Sequence, residues 1–176
     1  ACIQFHKEFY RETDVDFLKV MHDGLTAPCS LSPRGLWELK EYRPGKEKNS
    51  YVCSYLERVK RVSEALSGEV DIYANIFSPF TLFRRIGEEK MLAYIQEDKN
   101  AVRDILLRLA EDIGWMAEQM VKEAGCLGNF LAFQGAESNL FSMEEYETLI
   151  KESDRILLAA ANQASSFNIL HFCGWN

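Results

Sequence analysis

The sequence lacks the motifs that assign many proteins at a glance. It has no G-x-G-x-x-G turn, no P-loop and no G-x-S-x-G elbow. Dinucleotide, nucleoside-triphosphate and serine-hydrolase sites are therefore without their usual scaffolds. Histidine occurs only at His6, His22 and His171, so a Ser/His/Asp triad has little to draw on. Positive charge is in deficit: 20 Lys and Arg stand against 27 Asp and Glu, for a net charge of −7 and a pI of about 5.1. An acidic chain argues against nucleic acid or an anionic membrane surface as the main partner. No apolar run approaches the ~18 residues that a membrane span needs. The opening residues, Ala1-Cys2-Ile3-Gln4, show neither a basic n-region nor an apolar h-region, so no signal peptide is visible. An initiator Met is also missing, and we expect residues upstream. The five cysteines are odd in number and irregular in spacing. They fit reduced thiols in a cytoplasm better than a disulfide framework.

What is present is enough for one domain with a real core. The chain has 176 residues, 47% hydrophobic and 27% charged. Residues 3–12 have the spacing of a short amphipathic helix. Val15 to Met21 is a compact apolar run stopped by His22-Asp23-Gly24, which reads as a buried strand and a turn. Residues 25–50, with Pro28, Pro33 and Pro44, read as a long loop, and loops of that length are often functional. Tyr51 to Leu66 carries a helical stripe, ended by Gly68 as a C′ residue. Val70 to Phe77 is a second strand, and Ser78-Pro79 supplies an N-cap and N1 pair for the helix after it. Gly87 breaks that helix, and a further piece covers 88–97. Asn100 to Ala124 is the longest helix, by its 3.6-residue period. Leu127 to Phe133 is a third strand. Ser142-Met143-Glu144-Glu145 is a capping box that opens a helix running to about Ala164. Phe167 to Phe172 is a fourth strand.

Alternating strands and helices predict an α/β fold of parallel strands. Four β/α units are half of a (β/α)8 TIM-type barrel, which needs at least about 200 residues. We therefore expect residues 1–176 to be a single domain that is part of such a barrel, incomplete at both ends. A small open doubly wound sheet is the competing reading. A half-barrel would leave two bare sheet edges and an apolar face uncovered, so it would be a fragment or pair with another copy as a homodimer.

Chemistry in such folds gathers at the carboxyl ends of strands. There the sequence places His22 and Asp23, then Ser78, then Gln134 with Glu137 close behind, then His171 and Cys173. His171 and Cys173 are two apart in a strand, so they share a face, and both are preferred zinc ligands. Each has a plainer reading. The His/Cys pair could be buried strand residues, and His22-Asp23-Gly24 could be a turn as well as a site. Ser78 reads as a helix cap, and Gln134 and Glu137 as solvated loop. Cys126 reads as packing, while Cys2, Cys29 and Cys53 have no partner at ligand spacing.

The order of these segments resembles the uroporphyrinogen decarboxylase superfamily, which holds decarboxylases of haem biosynthesis and zinc-dependent methyltransferases that move methyl groups between corrinoids and thiols. The resemblance rests on Asp16 to Met21 with Asp23-Gly24, Ser78-Pro79-Phe80-Thr81-Leu82, Glu123-Ala124-Gly125, Gln134-Gly135-Ala136 and Ile169 to Gly174, and covers nearly the whole chain. In the methyltransferases a His-x-Cys motif gives two zinc ligands and a later strand end a third. His171 and Cys173 match that motif, and no later cysteine is present. The decarboxylases are expected to have an early strand-end Asp, for which Asp23 could stand. They also have a Tyr after the Pro-aromatic-Thr-Leu segment, where this chain has Arg84 or Arg85. Their Arg-rich N-terminal motif and C-terminal His are missing.

The resemblance thus leans to the methyltransferase-like branch. It implies a zinc-activated thiol substrate and a corrinoid methyl carrier, free or on a corrinoid protein. His22, Asp23 and Gln134 are then catalytic candidates, and Arg84, Arg85 and Glu137 substrate-binding ones. The alternatives are decarboxylation of uroporphyrinogen III, with Asp23 on the pyrrole N–H groups, or a non-catalytic half-barrel that binds a tetrapyrrole or another subunit.

Overall fold

The computed structural model describes residues 2–22, 24–25 and 33–173. Asp23, Cys29 and Gly174 therefore fall outside the described residues, as does the side chain of Cys173. The chain opens with α1 (Cys2–Thr13), β1 (Phe17–Val20) and α2 (Leu36–Lys40). A 3₁₀ turn at Lys46–Lys48 leads into α3 (Ser50–Ala65) and β2 (Asp71–Phe77). There follow α4 (Pro79–Arg84), α5 (Glu88–Glu97), α6 (Lys99–Lys122), β3 (Gly128–Gln134), α7 (Met143–Leu149), α8 (Lys151–Ala164) and β4 (Ile169–Cys173). None of the described helices is long and apolar enough to cross a membrane.

The four strands form one parallel sheet in the order β1-β2-β3-β4. The order never reverses, so every crossover steps in the same direction and the helices share one face. A doubly wound sheet must reverse at a switch point. This topology is the singly wound one of a (β/α) barrel, and it replaces the doubly wound alternative.

The register assigns each side chain to a face. Leu18 pairs with Ile72, Val20 with Ala74 and Ile76 with Leu131. These residues are buried under Val52, Tyr55, Val59 and Val62 of α3 and Ile113, Met116 and Met120 of α6. Each such aliphatic side chain contributes about 1.5–3 kcal/mol on burial. Helix α8 joins this layer by lying close on α6, where a Cβ added at Gly114 would sit 3.2 Å from Ala160 Cβ. The opposite, barrel-inward face carries Phe17, Lys19, Tyr73, Asn75, Phe130, Gln134 and His171 by the same register.

Three local expectations change. The segment read as one long loop contains α2 and the 3₁₀ turn, because Leu36 and Leu39 are buried against Phe80, Phe83 and Met91. The first strand alternates between exposed and buried residues, where a wholly buried run was expected. The helix opened by Ser142 is two helices, with Ile150 at the break (φ −110°). Ile150 is buried with Phe80 and Phe141, and the Ser153 hydroxyl donates to its carbonyl at 2.8 Å. Packing at that point overrides the continuous helical period.

Candidate functional site

The carboxyl end of the sheet is assembled by short-range chemistry. Ser78 caps α4, its hydroxyl accepting from Thr81 N at 3.2 Å, with Pro79 in the first turn. Thr81 then clasps the end of β3. Its hydroxyl accepts from Gln134 N at 2.9 Å and lies 3.0 Å from Gln134 O, to which it donates. Ser78 N donates to Ala132 O at 3.0 Å, so both ends of the Ser-Pro-x-Thr segment are tied to β3. Gly135 follows in the left-handed region (φ +95°), and a Cβ there would lie 2.6 Å from Arg84 Cδ. Glycine at this position admits both the turn and the guanidinium beside it.

Arg84 is committed to carboxylates. It meets Glu137 at 3.1 Å and Glu88 at 2.9 Å. Burial tends to lower its pKa, but the Glu88 and Glu137 contacts outweigh it and the net shift is upward. Glu137 is correspondingly the less exposed partner. Arg85 has a different setting: it is exposed, with its guanidinium 6.0 Å from the centre of the Phe77 ring. Of the two arginines read as substrate-binding, Arg85 is the more open to a ligand.

His22 is 1% exposed at the end of β1. Its ring meets Phe77, Tyr55 and Tyr51 edge-on, at centroid distances of 4.6, 5.6 and 5.9 Å. Beneath it the Tyr55 hydroxyl sits 2.7 Å from Val20 O and 2.9 Å from Asn75 O, bridging β1 and β2. Burial pushes the Tyr55 phenol well above its ordinary pKa, so it remains a neutral donor. Asn75 is buried on the inward face, and its Nδ2 has no hydrogen-bond partner among the described residues. Nothing in the sequence singled out Asn75 or Thr81 individually. Thr81 belongs to the Ser78-Pro79-Phe80-Thr81-Leu82 segment, while Asn75 lies within β2, two residues before its end.

His171 is exposed on the inward face of β4, its ring 5.6 Å from that of Phe130. Lys19 Nζ lies 4.3 Å from the Phe130 ring centre on the other side of the face. Among the described residues no three His, Cys, Asp or Glu side chains gather to hold a metal ion. His171 is exposed in the middle of β4, two residues before Cys173 in the sequence. Cys126 is not so placed. It is buried, and burial pushes its thiol up to about 12, in keeping with a packing role.

A half-open cylinder of parallel strands, with polar residues along one rim, defines the (β/α)-barrel class. Residues 20–176 match the model of the uroporphyrinogen decarboxylase (URO-D) family, and the chain belongs to that family. The fold is similar to that of a methyltransferase from Methanosarcina mazei, with a TM-score of 0.72 at 15% identity. The match covers 98% of this chain and 56% of that one, so this chain spans about half the length of that structure. At this identity the likeness is one of fold. No curated protein matches the chain.

Proposed function

We propose that this chain contributes the thiol-activating strand ends of a zinc-dependent methyltransferase in the URO-D superfamily. The acceptor is a small-molecule thiol and the methyl carrier a corrinoid. The observation that carries this reading is His171, exposed on the inward face of β4 and two residues from Cys173. Zinc held by these two residues and a further ligand would lower the pKa of a bound thiol, so that the thiolate forms at neutral pH.

The remaining residues then have positioning tasks. Phe130 packs beside the His171 ring and keeps water from one side of it. Gln134, held at its backbone by Thr81, and Asn75, with an uncommitted Nδ2, offer hydrogen bonds to substrate. Asp23, which follows β1 in the sequence, is the candidate to orient the thiol substrate. Arg85 supplies positive charge for an acidic substrate group, whereas Arg84 serves to fix Glu137. His22 supports the rim from within its aromatic cage.

The test is zinc content in protein expressed from the intact reading frame. We expect about one zinc per chain and its loss, together with methyl transfer, in His171→Ala. A folded protein without zinc would overturn the reading and favour decarboxylation or tetrapyrrole binding.

A further inference from the structure

A cavity of about 530 Å³ lies beside the strand ends, between β3, α4, α7 and α8. That volume is within the range of small-molecule sites. Phe80, Phe133, Phe141 and Ile150 supply apolar wall. Its polar wall includes Tyr146 of α7 and Asp154 of α8, neither of which takes part in the strand-end site. Asp154 is 4% exposed. One carboxyl oxygen, Oδ2, accepts from the Tyr146 hydroxyl at 3.1 Å. The other, Oδ1, is buried with no hydrogen-bond partner among the described residues. A buried carboxyl with half of its acceptor capacity empty is costly unless something else donates to it.

The polarity of the cavity selects the donor. Its described lining contains two carboxyls, Glu137 and Asp154, and no Lys, Arg or His. Glu137 is already paired with Arg84 at 3.1 Å. Tyr146 has its one hydroxyl proton directed at Asp154, so its oxygen presents lone pairs outward as an acceptor. The lining also offers neutral donors, the Gln134 amide and the Ser138 hydroxyl among them, but no cation, so an anionic ligand would find no opposite charge here. A cationic or N–H-bearing group would meet the Tyr146 oxygen, the carboxyl behind it and aromatic faces, all of which attract positive charge.

We propose that this cavity, floored by the Tyr146–Asp154 pair and walled by Phe80, Phe133 and Phe141, binds a small aromatic or heteroaromatic amine. The amine donates to Tyr146 and Asp154 while its ring packs on the phenylalanines. The cavity adjoins the strand-end site, sharing Ser78, Gln134 and Glu137 with its wall, but amine binding at the Tyr146–Asp154 pair requires no zinc.

Calorimetric titration of the full chain with benzylamine, benzyl alcohol and benzoate tests this. The three probes share a ring and differ only in the group offered to the pair. Benzylamine should bind at least tenfold more tightly than benzyl alcohol, and benzoate should not bind. Asp154→Asn and Tyr146→Phe, both close to isosteric, should each weaken benzylamine about tenfold and leave benzyl alcohol unchanged. Equal binding of amine and alcohol, no binding of either, or an amine affinity indifferent to both substitutions would overturn the proposal. The comparison of probes on the unaltered chain decides the matter even if one variant fails to fold.

Discussion

Among the described residues, two carboxyl groups are buried in the helix layer, and they are opposites. Asp112, on α6, is fully buried and surrounded by donors. Its Oδ1 accepts from Gly45 N at 2.9 Å and Lys46 N at 2.5 Å. Its Oδ2 accepts from Asn49 Nδ2 at 2.6 Å and from the Tyr42 hydroxyl. Asn49 in turn caps α3 through its own side-chain oxygen. Asp112 thus anchors the segment that leads from the first strand end into α3. Asp154 accepts one hydrogen bond and has an oxygen left over. Burial pushes its pKa up to about 7. The difference teaches that burial by itself does not mark a functional carboxyl. A saturated one is a fastener, and an unsaturated one beside a cavity is available for a ligand.

Three substitutions would break or sharpen that contrast. The largest effect is expected from Asp112→Ala, which strands four donors at once. The loss should be about 3–5 kcal/mol, read as a fall in the urea midpoint. A loss below about 1 kcal/mol would mean that the anchor is dispensable.

Asp154→Asn should act in the opposite direction, and its effect should depend on pH. The unfolded carboxyl releases its proton near pH 4, while the native one holds it to about 7. Folding therefore takes up a proton between those values, and this group's contribution to stability falls as pH rises from 4 to 7. The asparagine variant escapes that penalty. It should match the parent at pH 4 and exceed it at pH 8 by on the order of 2–4 kcal/mol. Parallel stability–pH curves for the two proteins would refute the raised pKa.

The smallest effect belongs to Tyr146→Phe, which removes the one donor to Asp154. It should cost about 1 kcal/mol in thermal or urea unfolding. It should also move the steep part of the stability–pH curve to higher pH, because that hydrogen bond favours the ionised carboxyl. An unchanged curve would show that the bond is not made in solution.

Much of the fold was legible because its signals are local. Ser78-Pro79 could be read as a helix start because a cap needs only the next turn, and Thr81 N does bond Ser78. Ser142 and Glu145 form the capping box by the same logic. Gly87 ends one helix and precedes another because its φ of +104° suits glycine. Cys126 could be read as packing from its place after Gly125 at a helix end, and it is buried. The site was legible only as positions. Gln134 closes β3 and His22 follows β1, since strand–helix alternation sets where those ends come, whereas His171 lies in the middle of β4. Their environments were not legible. The cage around His22 comes from α3 and β2, and the commitment of Arg84 to Glu137 spans 53 residues of chain.

The sequence by itself determined the alternation of elements, the caps and breakers that bound them, and the parallel arrangement that brings the strand ends to one rim. Hydrophobic period and turn chemistry act over a few residues, so they can be read along the chain. Only the tertiary structure decided that α8 departs from α7 at Ile150, that the loop before α3 is pinned to Asp112, and that Asp154 faces a cavity with an oxygen unfilled. Those outcomes depend on which residues, tens of positions apart, meet in a close-packed interior, where a polar atom must find its partner or go without.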